Sequence, residues 1–113
     1  MHELGITQNI VSIVSEYAEG KKVQRLLLEV GKLSAIMPDS IQFCFDICSQ
    51  GTVLEKAKLE ILETPGLAVC CQCGTEITLE KPFGKCNCGS TQLNLIAGEE
   101  LKIKEIEVEE LCV

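Results

Sequence analysis

The chain has 113 residues, 46% of them hydrophobic, which suits one ordinary domain with a small core and leaves little surplus for a large substrate cleft beside it. A formal charge of -7 opposes nonspecific binding to DNA or RNA, whose phosphates attract lysine and arginine. No apolar run approaches the roughly 18 residues of a membrane span, and the acidic start MHE lacks the basic and apolar regions of a secretory signal, so a soluble, cytoplasmic protein is expected.

The segment ELGITQNIVSIVSEYAEG has the spacing of an amphipathic helix, with Ile6, Ile10, Ile13, Val14 and Tyr17 on one stripe and Gly20 as its stop. VQRLLLEVG follows as a strand, in which Leu26, Leu28 and Val30 share a face. Pro38 suits the first turn of a second helix, and Asp39 suits its positive end. On that helix Ile41, Cys44, Phe45 and Cys48 form a stripe, so the two cysteines read as small core hydrophobes rather than a metal pair. AKLEILET predicts another strand, with Leu59 and Ile61 on one face. TPGLAV marks a change of composition and is expected to be a hinge or boundary. In the last apolar stretch, LKIKEIEVEE, Leu101 and Ile103 have one parity and Ile106 and Val108 the other. A single face therefore requires a bulge near Lys104 to Glu105.

Eight cysteines need a reason. A secreted chain could use them as a disulfide scaffold, but two close pairs in a chain without a signal favour a structural metal. Cys70 and Cys73 form a CxxC knuckle, and Cys86 and Cys88 a tighter CxC pair further on. Four thiolates satisfy tetrahedral zinc, and the ion replaces a core that so short a unit lacks. The expected ligands are Cys70, Cys73, Cys86 and Cys88. Cys71 is a substitute, because it forms a CxC of its own with Cys73. A thiol-exchange role is the lesser reading of CxxC. The loop TEITLEKPFGK has no basic stripe or aromatic platform, which argues against a nucleic-acid ribbon.

The only histidine is residue 2. By itself it reads as part of a mobile terminus more readily than as a ligand. Yet its position offers a chelate: the α-amine of Met1, the amide nitrogen and imidazole of His2, and the amide of Glu3 can close adjacent rings on one nickel ion. The bulk of His2 should keep the initiator methionine in place. No nucleophile system surrounds this histidine and no phosphate-binding GKS or GKT occurs, so an enzyme is not expected.

The MHELGI start, the helix–strand–helix order, MPDSIQF, the late cysteine pairs and the ending LKIKEIEVEE together resemble the HypA family of nickel metallochaperones in [NiFe]-hydrogenase maturation. The resemblance covers almost the whole chain. It implies transient Ni(II) binding through Met1, His2 and Glu3, and structural Zn(II) on Cys70, Cys73 and the later pair. It also implies work with a nickel-binding GTPase and delivery to the hydrogenase large subunit, with urease maturation, homodimerisation or exchange of the C-terminal segment known in some members. The family's second knuckle is usually CxxC; Cys86-Asn87-Cys88 is one residue shorter and keeps Cys71 in contention.

The expected fold is α/β: a small helix-and-antiparallel-sheet nickel-binding domain with an inserted zinc-ribbon-like module. Residues 1–66 would form the main part of the N-terminal domain, 67–96 the zinc-binding module, and 97–113 a strand returning to the first domain. The competing readings are a zinc-ribbon adaptor that binds only protein, and a thiol oxidoreductase.

Overall fold

The computed structural model describes residues 2–109, with the backbone alone for His2. Two helices and six strands follow in the order α1 (His2–Ala18), β1 (Val23–Gly31), α2 (Pro38–Cys48), β2 (Lys58–Thr64), β3 (Gly66–Cys70), β4 (Glu76–Leu79), β5 (Leu93–Ala97) and β6 (Leu101–Val108). They form two units, one of Met1–Leu28, Ile36–Leu62 and Lys102–Val113, the other of Glu29–Ala35 and Glu63–Leu101.

In the first unit α1 packs on α2. Ile10, Val11, Val14 and Ala18 are buried on α1, and Ile41 and Phe45 on α2. This corrects the stripe expected for α1. Ile13 and Tyr17 face outward, Tyr17 at 76% exposure, and the buried face runs instead through Thr7, Ile10, Val11, Val14 and Ala18. Both stripes have helical spacing, so the position of the packing partner decides between them. Thr7 can join the buried side because its hydroxyl donates to the carbonyl of Glu3 at 2.6 Å. The helix ends as Glu19 and then Gly20 take positive φ values of 50° and 86°.

Pro38 opens α2 where its missing N–H costs nothing, and Ser49 closes it with its N–H donating to the carbonyl of Phe45. Cys44 and Cys48 are half-buried, and burial raises the Cys48 thiol above its ordinary pKa, with Cys44 adding to the effect. Gln42 on the same helix donates to the carbonyl of Leu59 at 2.9 Å, tying α2 to β2.

The first sheet has the order β2-β1-β6. Leu26, Leu28 and Val30 of β1 are buried, and Leu59 of β2 with them. At one end of β1 the N–H of Glu109 donates to Lys22, and at the other Gly31 donates to Glu100, so β6 runs antiparallel to β1. The crossover through α2 instead leaves β1 and β2 with their C-terminal ends together, where Lys32 donates to Thr64. Along β6, Leu101, Ile103, Ile106 and Val108 are all half-buried while Lys104 and Glu105 are both exposed. The parity break therefore falls where the sequence requires a bulge.

The second sheet has the order β4-β3-β5 and is antiparallel throughout. Its central strand is Gly66–Cys70, so the hinge expected over TPGLAV shrinks to the single residue Pro65 between β2 and β3. The core beneath it is small: Leu33, Ala68 and Leu79, with Ile77, Leu93 and Leu95 packed against them. Three glycines let the backbone close over this core. A Cβ on Gly31 would strike the carbonyl of Gly98, one on Gly98 the Cα of Gly66, and one on Gly66 the side chain of Leu33.

Candidate metal centre

The second unit gathers four cysteines at one end of its sheet. Cys70 ends β3, and the turn after it returns the chain so that Cys70 N–H donates to Thr75 and Gly74 N–H to Cys70, each at 2.9 Å. Gly74 takes φ 75° to complete the turn. The later pair sits on a tighter version of the same device. Gly89 N–H donates to Cys86 at 2.9 Å, Cys86 N–H donates to Ser90, and Gly89 has φ 96°. The first turn closes on the fourth residue after its cysteine and the second on the third. The residue missing from the second knuckle is thus absorbed by a shorter turn.

The four ligand atoms of Cys70, Cys73, Cys86 and Cys88 all lie within 4.8 Å of one another. Cys70 Sγ is 3.6 Å from Cys88 Sγ, and Cys73 Sγ is 3.5 Å from Cys86 Sγ. A tetrahedral ion with bonds of about 2.3 Å to sulfur separates its ligands by about 3.8 Å, so the cage has the size that such an ion requires. Cys70 and Cys86 are buried, whereas Cys73 and Cys88 are exposed beside a shallow polar depression lined by Gln72, Ser90, Thr91 and Gln92.

Cys71 is not in the cluster. It is exposed, and its N–H donates to the carbonyl of Gln92 at 2.9 Å, which continues the β3–β5 ladder past Cys70. Strand alternation sends neighbouring side chains to opposite faces, so gathering Cys70 inward turns Cys71 outward. Cys44 and Cys48 belong to α2 and are not among the clustered thiols.

The thiols perturb one another. The hydroxyl of Thr75, 3.1 Å from Cys73 Sγ, stabilises the thiolate, and with the Thr75 backbone and Cys86 thiol it lowers the pKa of Cys73 to about 6. Backbone donation, first from Cys73 and then Gln72, lowers that of Cys70. At Cys88 the backbone N–H of Ser90 also pulls downward, but the surrounding thiols and desolvation outweigh it and push the group up to about 11. Four sulfurs in such a cage cannot all ionise without a cation, and a dication removes that conflict. Thr75 is the functional neighbour that cysteine spacing alone does not reveal. Its signal is a hydroxyl two residues after a knuckle cysteine.

At the other expected site, α1 begins at His2. Met1 and the imidazole of His2 lie outside the described residues. Glu3 is half-buried in the first turn, with its carbonyl taken by Thr7.

A family model described as "Hydrogenase/urease nickel incorporation, metallochaperone, hypA" matches residues 1–108. The chain belongs to the HypA family. It is similar to the hydrogenase maturation factor HypA of Trichormus variabilis, 80% identical over 113 residues and 100% of both chains. A more distant HypA, from Geobacter sulfurreducens, is 43% identical over 110 residues, covering 96% of this chain and 100% of that one. The solution structure of the Ni metallochaperone HypA from Helicobacter pylori shares the fold, with a TM-score of 0.68 at 20% identity over 94% of this chain and 96% of that one. Among the described residues no helix is long and apolar enough to cross a membrane.

Proposed function

We propose that this chain carries Ni(II) at its amino terminus as cargo and delivers it during [NiFe]-hydrogenase maturation, while Zn(II) on Cys70, Cys73, Cys86 and Cys88 orders the second unit. The observation that carries this reading is the family match from residue 1 to residue 108, which includes both the MHE start and the cysteine cage.

Ligand chemistry separates the two metals. Four soft thiolates in a cage of tetrahedral size favour zinc, and a closed set of four leaves no position for a substrate. Zinc there would supply folding energy, not reactivity. Nickel(II) instead takes nitrogen donors in a planar set. The first four N–H groups of a helix have no intrahelical acceptor, and the amides of His2 and Glu3 are among them. They can be given up to a metal without breaking the helix.

The helix's positive end works against a bare dication. Loss of the two amide protons offsets this, because Ni(II) with two deprotonated amides is a neutral unit. The amine of Met1 and the imidazole of His2 complete the donor set, and the Glu3 carboxylate remains available to tune charge. Such a site holds nickel at the surface, where a partner can take it. The partners in this reading are a nickel-binding GTPase and the hydrogenase large subunit, in the cytoplasm.

Blocking the first amine tests the assignment. Zinc-loaded protein with a residue added ahead of Met1 should lose specific nickel binding and keep its fold. Nickel binding that is indifferent to such an extension would instead favour a zinc-ordered adaptor.

A further inference from the structure

Helix α2 is apolar on two sides. Its inner side carries Ile41 and Phe45, both buried. Its exposed positions are Asp39, Phe43, Asp46 and Ile47, which fall at i, i+4, i+7 and i+8 and so make one outward stripe. Two of its four positions are hydrophobic: Phe43 is 68% exposed and Ile47 51%, with Met37 62% exposed just before the helix. An outward helix face is ordinarily polar, and a helix that is apolar all round is ordinarily covered.

The charges say what kind of partner fits. Asp39 stands one turn before Phe43 and Asp46 lies beside Ile47, and from Leu33 to Glu55 the chain contains no lysine or arginine. A second copy docking through the same face about a two-fold axis would set these aspartates against one another without a cation between them. A partner that brings its own cations meets no such cost.

We propose that the outer face of α2 is a docking surface for a basic amphipathic helix, one that presents aliphatic or aromatic anchors to Phe43 and Ile47 and lysine or arginine to Asp39 and Asp46. Helix-in-groove recognition uses anchors at this spacing, and the flanking charges set orientation and selectivity. The surface involves neither metal site.

The test uses full-length, zinc-loaded protein and two fluorescein-labelled synthetic helical peptides. Both carry leucines at i, i+4 and i+7, one flanked by lysines and the other by glutamates. Fluorescence anisotropy should show the lysine peptide binding about tenfold tighter than the glutamate peptide or better. Phe43→Ser should weaken the lysine peptide by about tenfold, and Asp46→Lys should narrow the preference between the two peptides. Both positions are exposed, so circular dichroism and zinc content should not change. No binding of the lysine peptide, equal affinity for both peptides, or an unchanged affinity in Phe43→Ser would overturn the proposal. So would self-association of the wild-type protein that Phe43→Ser abolishes, which would make a second copy the occupant.

Discussion

Cys73 and Cys86 place their sulfurs 3.5 Å apart although they belong to different turns, while Cys71, beside the buried Cys70, faces outward. Chain geometry, not proximity in sequence, selects which thiols cluster. Cys73→Ser should therefore lose the zinc, and Cys71→Ser should retain a full equivalent. Metal analysis of the two purified variants decides the point, and a full complement in Cys73→Ser would exclude Cys73 as a ligand.

The hydrophobic cluster beneath the second sheet is Leu33, Ala68 and Leu79, with three partly buried neighbours. A core of that size cannot order the segment alone. Removal of zinc by a chelator should abolish amide protection over Leu67–Cys70 and Leu93–Ala97 while Leu26, Leu28 and the buried faces of α1 and α2 stay protected. Hydrogen exchange read by mass spectrometry checks this. Undiminished protection of β3 after zinc loss would mean that packing suffices.

Gly31 has no room for a side chain, because its Cβ would meet the carbonyl of Gly98. Backbone atoms cannot yield as a flexible side chain can. Gly31→Ala should destabilise the protein by about 3 kcal/mol, read from denaturant unfolding. Gly5→Ala, whose Cβ meets nothing within 4 Å, should do no harm. An undiminished stability of Gly31→Ala would show that the backbone at Gly98 can yield after all.

Much of this arrangement is legible in the residues themselves. The cysteine spacing points to a four-thiol cage, and the change of parity at Lys104 and Glu105 recurs in the burial pattern of β6, where both residues are exposed. What escapes the sequence depends on contacts between distant segments. Ile13 and Tyr17 have helical spacing as good as that of Val11 and Ala18, and only the partner of α1 decides which pair is covered. The crossing of Gly31, Gly66 and Gly98 leaves no local pattern, since each glycine answers a neighbour far away in the chain. At the amino terminus the reverse holds, because the proposed nickel chelate is read from the first three residues and needs no tertiary contact.

Nickel titration of untagged, zinc-loaded protein, with stoichiometry and affinity observed together, probes the amino-terminal site itself. We expect one specific Ni(II) per chain, proton release on binding, and loss of that binding in His2→Ala with zinc and fold intact. Unchanged nickel affinity in His2→Ala would contradict this expectation.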